Sequence, residues 1–87
     1  MRKALYSEQY GSFCEALKLA RKTAGLSQQQ LARKLKEHQS FVSRYEAGER
    51  RLDVVEFITI AAAIGFDPAD LVKRIARGLT KIKRAKD

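Results

Sequence analysis

The stretch of sequence that decides the fold is Leu26–Arg51, LSQQQLARKLKEHQSFVSRYEAGERR. It holds two short segments with helical apolar spacing, separated only by residues 36–38. The first segment starts at Ser27, which forms a capping-box pattern with Gln30 and so satisfies two unpaired N–H groups. The second segment ends before Gly48, a residue suited to the left-handed conformation that closes a helix. Two short helices across so short a turn predict a helix-turn-helix.

The rest of the chain also has helical spacing, and no stretch alternates as a strand would. We predict five helices, over 12–24, 28–35, 39–47, 54–64 and 68–77. Capping patterns at Ser12 and Asp53, and Pro at the first position of the last helix, support their starts. The closing glycines are expected to be Gly25, Gly48, Gly65 and Gly78. The first helix has an alternative start at Ser7. The prediction is a compact all-α bundle of five helices, with an extension over 1–11 and a basic tail over 78–87.

The composition indicates a single domain with a polyanion as its partner. The chain has 87 residues and 18 basic against 10 acidic side chains, which gives a net charge of +8. Nucleic acid is the first candidate and an anionic membrane surface the second. The longest apolar run, Ile60–Ile64, is far shorter than the ~20 residues that span a bilayer. The single cysteine, Cys14, cannot form an internal disulfide, which agrees with a reducing cytoplasm.

The third predicted helix has one polar and one apolar face. Val42 and Tyr45 are expected to point inward, as are Leu31, Ala32 and Leu35 of the second helix. The opposite face carries Gln39, Ser40, Ser43 and Arg44. Amide, hydroxyl and guanidinium groups are the types that bond base edges in a major groove. The polar face therefore favours DNA binding, although ordinary helix amphipathicity would give a similar pattern.

These stretches resemble a known family. LSQQQLA at 26–32 followed by SFVSRYEAGERR at 40–51 is similar to the phage-repressor and Cro-like (XRE-type) helix-turn-helix family, and the similarity continues to GFDP at 65–68. The resemblance covers roughly residues 12–75. It implies a lambda-repressor-like DNA-binding domain over 12–77 that binds operator DNA as a dimer and regulates transcription, as a repressor, without a cofactor.

The resemblance also implies roles for individual residues. The positions that meet bases are His38, Gln39, Ser40, Ser43 and Arg44. The positions that contact phosphate are Gln28, Arg50 and Arg51, and Gln28 also buttresses the recognition helix. Glu46 is expected to be structural and to pair with Arg21 or Arg33. Two positions depart from the family pattern: Lys36 stands where a glycine is usual in the turn, and His38 stands where Thr, Ser or Pro is commoner.

Other chemistries find little support in the sequence. His38 is the only histidine and lacks partners at metal-ligand spacing, and Ser40 and Ser43 have no neighbouring base that would activate them. Cys14 is expected to be a buried or half-buried, inert thiol. We therefore predict a protein that is not an enzyme, with no metal, cofactor, small-molecule substrate or membrane partner. Two alternatives stay open. One is an antitoxin that represses its own operon, for which residues 78–87 are the candidate toxin-binding segment. The other is a protein-interaction module of the same fold.

A dimer is expected because one recognition helix reads only a few base pairs. The candidate face is the fifth helix, with Leu71, Ile75, Leu79 and Ile82. Part of this strip must serve the domain's own core, so the expected homodimer is weak. Tyr6 and Tyr10 fit a dimer contact and packing on the domain equally well.

Overall fold

The structure is a computed structural model that describes the backbone of residues 2–83 and the side chains of residues 8–78. These residues form helices and connecting turns without a strand, so the all-α class is confirmed. The helices are α1 (Arg2–Thr23), α2 (Gln28–Leu35), α3 (Gln39–Glu46), α4 (Val54–Ile64) and α5 (Pro68–Lys83).

The bounds of α2 and α4 match the prediction because local hydrogen bonds set them. Ser27 Oγ accepts from Gln30 N at 3.0 Å, and Gln30 Oε1 accepts from Ser27 N at 2.8 Å. Asp53 and Glu56 form the same reciprocal pair at the start of α4, at 2.7 and 2.9 Å. Each capping box satisfies N–H groups that have no partner within the helix. The last turn of α4 closes on Gly65, which has a φ of 102°.

The prediction was wrong about the start of α1 and the end of α5. α1 begins at Arg2, so Ser12 lies inside the helix and residues 2–11 are its first turns. α5 runs on to Lys83, so Gly78 is helical and does not close it. A Cβ at Gly78 would lie 3.3 Å from Gln9 Oε1, which shows how closely the two helices approach there. The packing of α1 against α5 therefore accounts for helices that extend past the ends predicted from capping residues and glycines.

The core lies where all five helices meet. Leu31, Ala32, Val42 and Tyr45 are buried as predicted, whereas Leu35 is only half-buried. The other buried core residues are Leu17, Phe57, Ile60 and Leu71. The aromatic rings of Phe13 and Phe57 meet edge to face with centroids 5.1 Å apart, which joins α1 to α4. Cys14 is buried, as predicted, and burial raises the pKa of its thiol.

The turn between α2 and α3 passes through Lys36 in the left-handed conformation, with φ 59° and ψ 43°. Its N–H donates to Arg33 O at 3.1 Å, and the Glu37 N–H donates to Ala32 O at 2.9 Å, which closes α2. A side chain in this conformation costs about 1–2 kcal/mol relative to a right-handed residue. The packing of α3 against α2 holds the turn in place, so the helix-turn-helix forms without the usual glycine.

Candidate nucleic-acid interface

A buried ion pair lies beneath the helix-turn-helix. Arg21 Nε donates to Glu46 Oε2 at 2.7 Å and Arg21 Nη2 donates to Glu46 Oε1 at 3.0 Å. Arg21 Nη1 donates to Leu26 O at 2.8 Å, at the entry to α2. Both charged side chains are less than one tenth exposed, at 7% and 3%. The pair therefore ties α1 to the end of α3, and of the two partners predicted for Glu46, Arg21 is the one it meets.

The ion pair extends by hydrogen bonds to the surface. Gln28 Nε2 donates to Glu46 Oε1 at 2.9 Å, and Gln39 Nε2 donates to Gln28 Oε1 at 2.7 Å. Gln28 is the first residue of α2 and Gln39 the first of α3, so one amide links the two helix starts. The second N–H and the carbonyl of the Gln39 amide are left for a ligand. Gln28 thus buttresses α3 in the way the family resemblance implies.

The predicted base-contacting residues share the exposed side of α3. His38, Gln39, Ser40 and Arg44 are exposed and Ser43 is half-buried. His38 occupies the N-cap position with extended backbone, but its side chain caps none of the described N–H groups of α3. The first N–H groups of the helix therefore keep their partial positive charge, which favours an anionic or electronegative ligand there.

The loop between α3 and α4 carries the two predicted phosphate contacts, and both guanidinium groups also make contacts within the domain. Arg50 lies with its Cζ 4.9 Å from the centre of the Phe41 ring, and it forms an ion pair with Glu56. The Cζ of Arg51 lies 4.4 Å from the centre of the Tyr10 ring. Each guanidinium group thus stacks on an aromatic ring of the domain.

A helix-turn-helix family profile matches residues 17–71, which is more than half of the chain. The chain belongs to the helix-turn-helix family. Its structure is similar to an XRE-family like protein from Pseudomonas syringae pv. tomato str. DC3000, with a TM-score of 0.83 and 39% sequence identity. That similarity covers 87% of this chain and 93% of the other. The comparison with curated proteins gives no match.

Membership of the helix-turn-helix family has direct consequences for function. The XRE-type resemblance found in the sequence is confirmed, and the protein is a DNA-binding transcription regulator and not an enzyme. In the part of the chain that the structure describes, no helix is long and apolar enough to cross a membrane. Within the same part, no three His, Cys, Asp or Glu side chains lie close enough together to hold a metal ion.

The sequence did not assign Tyr10 or Glu56 to this helix-turn-helix surface. Tyr10 lies upstream of the residues that match the family, yet its hydroxyl accepts from Leu52 N at 3.0 Å and lies 3.5 Å from Arg50 O. Burial raises the pKa of this phenol, so it stays protonated. Glu56 appears in the sequence only as a capping residue, but the hydrogen bond from Arg50 lowers the pKa of its carboxyl. The sequence left Tyr10 open between a dimer contact and packing on the domain, and its hydroxyl and ring contact the loop of the same domain.

Proposed function

We propose that this helix-turn-helix protein is a sequence-specific repressor that reads operator DNA in the major groove with α3. The observation that carries the proposal is the chain of hydrogen bonds from Glu46 through Gln28 to Gln39. It fixes a base-reading amide at the start of a helix, where recognition helices make most of their base contacts. A fixed side chain loses less conformational entropy on binding than a free one.

The direct base contacts are assigned to the exposed polar side chains of α3. Gln39 suits adenine, because an amide can pair with N6 and N7 together, and Arg44 suits guanine at O6 and N7. Ser40 and Ser43 bond either donors or acceptors. His38 lies at the N-cap, where it meets the groove edge. Together these residues provide groups that distinguish base pairs.

The backbone contacts are assigned to Gln28, Arg50 and Arg51. Gln28 lies at the start of α2, where unpaired N–H groups and the helix dipole attract a phosphate. The two arginines follow α3 and would reach the sugar-phosphate strand beside the groove. Such contacts set the register of the protein on DNA without reading the sequence.

The test is selection of bound duplexes from a random pool, followed by footprinting. The proposal expects an enriched motif, and it expects Gln39→Ala to lose the preference at one position of that motif. Gln29→Ala is a matched control, because Gln29 is an exposed glutamine on α2 outside the assigned contacts. A pool that shows no enriched sequence, although DNA is bound, would contradict sequence-specific reading.

We also propose that two copies bind together on a palindromic site, as a weak homodimer. Leu71 is 5% exposed and belongs to the core, so it is not available for the dimer contact predicted from the sequence. Val54, Ile58 and Val72 are 70%, 48% and 53% exposed and lie on α4 and α5. We name these three residues the apolar patch. The side chains of Leu79 and Ile82 lie outside the described residues, as does that of Tyr6, whereas Tyr10 packs on the domain's own loop.

The charge distribution supports the apolar patch as a contact between copies. No Lys or Arg occurs from Leu52 to Val72, although the chain carries a net charge of +8. Two copies that met through Val54 and Ile58 would bury apolar side chains of a segment that holds no basic residue. We propose the cytoplasm as the location of the regulator, because its function requires contact with DNA. The antitoxin alternative remains a hypothesis, and the described part of its candidate segment, 78–83, continues α5.

A further inference from the structure

The loop proposed to contact phosphate carries more acid than base. Residues 49–56 contain two arginines, Arg50 and Arg51, and three acids, Glu49, Asp53 and Glu56, which gives a formal charge of −1. A loop with this balance does not attract a polyanion by net charge alone. Its contribution to DNA binding therefore depends on which acid is paired with which arginine.

The carboxylate of Glu56 binds both terminal nitrogens of Arg50. Arg50 Nη1 donates to Glu56 Oε1 at 3.0 Å, and Nη2 lies 2.9 Å from Glu56 Oε2. Nη1 also donates to Arg51 O at 3.0 Å. These are the N–H groups that an arginine uses to grip a phosphate in a bidentate way. The side chain of Arg50 is nevertheless 43% exposed, so a phosphate can reach it.

Glu56 has a second hydrogen bond that does not involve Arg50. Its Oε1 also accepts from Asp53 N at 2.9 Å, as half of the capping box of α4. The carboxylate is therefore anchored to the helix start independently of the arginine. A phosphate that approaches the loop meets a fixed negative charge beside the guanidinium it needs.

We infer that Glu56 competes with the DNA backbone for Arg50 and so weakens the contact between this loop and phosphate. The inference rests on the proposed function, in which the loop lies against the DNA strand. On binding, Arg50 exchanges the carboxylate for a phosphate, and the freed carboxylate attracts a cation. The exchange therefore releases fewer cations in total than a phosphate contact by a free arginine, by at most about one.

The experiment is to replace Glu56 by Gln and measure DNA binding over a range of salt concentrations. Gln keeps the capping box, because Glu and Gln serve equally at that position. Glu56→Gln is expected to bind a selected duplex and a random duplex about two- to fivefold more tightly, the range set by an exposed ion pair. The plot of log affinity against log salt should steepen, by at most about one unit.

Two further variants separate this competition from a general effect of charge. Glu49→Gln removes the same charge next to Arg50, and Glu49 forms no ion pair with any residue whose side chain the structure describes. It should give a smaller gain than Glu56→Gln. In an Arg50→Ala background, Glu56→Gln should give almost no gain in affinity, because the arginine for which Glu56 and phosphate compete is absent.

The inference is overturned if Glu56→Gln binds with unchanged or weaker affinity, or if its gain is equalled by Glu49→Gln or survives in Arg50→Ala. Thermal unfolding of each variant checks that the fold is kept. If Glu56→Gln unfolds, Glu56 is left in place and Arg50→Ala is compared with Arg51→Ala, which should lose more affinity because the ion pair of Glu56 is with Arg50. Failure of the wild-type protein and all variants to bind any duplex at low salt would instead overturn the proposed function itself.

Discussion

Removing the charge of Glu46 should destabilise the whole domain. The Glu46 carboxylate accepts two hydrogen bonds from Arg21 and one from Gln28, in a site where the ion pair is almost closed to solvent. Glu46→Gln keeps the shape but places an amide N–H group against the donors of Arg21. The arginine is then a buried charge without a counter-ion, and such a loss costs about 3–5 kcal/mol.

The size of this loss makes it easy to measure. Small domains have a total stability of about 5–15 kcal/mol, and a change of 1 kcal/mol shifts Tm by about 4–8 °C in a domain of this size. A loss of 3 kcal/mol therefore lowers Tm by about 12–24 °C, which thermal unfolding followed by circular dichroism resolves. A fall that corresponds to less than about 1 kcal/mol would refute the reasoning, because that is the contribution of an ion pair in water.

A double replacement separates stability from DNA recognition. Arg21→Met/Glu46→Leu substitutes apolar side chains for both charges, and such pairs often match or exceed the stability of the ion pair. This variant should recover most of the stability that Glu46→Gln loses. It should still discriminate less between operator and random duplex than the wild type, because Gln28 has lost the acceptor that orients it toward Gln39. If the folded double variant discriminates between operator and random duplex as well as the wild type does, the ion pair does not contribute to base recognition.

Three further predictions concern binding. Gln39→Ala and Arg44→Ala should each cost about 1–3 kcal/mol on the selected duplex and relax the preference at one base position, measured by competition with single-base variants of the site. An equal loss on random duplex would show that they touch only the backbone. Arg51→Ala should weaken binding to all sequences by a similar factor and reduce the salt slope by about one unit; an unchanged slope would remove this residue from the contacts. Ile58→Asp and Val72→Asp should leave the fold intact but halve the number of protomers on a palindromic duplex in sedimentation, and two bound protomers in both variants would place the dimer contact elsewhere.

The elements set by local chemistry were predictable from the sequence. Ser27 and Asp53 each provide a side-chain oxygen, and a Gln or Glu follows three positions later, as a capping box requires. The hydrogen bonds therefore join residues that are only three positions apart in the sequence. Ser12 has the same local pattern, but α1 continues through it. Tyr10 contacts Leu52, and Gln9 approaches Gly78, at distances in the chain that a local pattern does not register.

The candidate site divides in the same way. The polar face of α3 follows from helical spacing, and the role of Gln28 follows from the resemblance to the family. The pairing of Arg50 with Glu56 depends on the path of the loop between α3 and α4, and the hydrogen bonds from Glu49 N and Arg50 N to Arg44 O determine that path. A sequence that shows two adjacent arginines after a glycine indicates a basic loop but not how each guanidinium is occupied.

The burial of Cys14 has a practical consequence for spectroscopy. It is the only cysteine of the chain, it is 3% exposed, and burial raises the pKa of its thiol above the ordinary value. The thiolate is the nucleophile that attacks maleimide and nitroxide labels, so this position reacts slowly while the protein is folded. A cysteine introduced on an exposed turn, for example in place of Lys36, would react with a fluorophore or spin label faster than Cys14 does. The wild-type background therefore allows distances between protomers and DNA to be measured without first removing the native thiol.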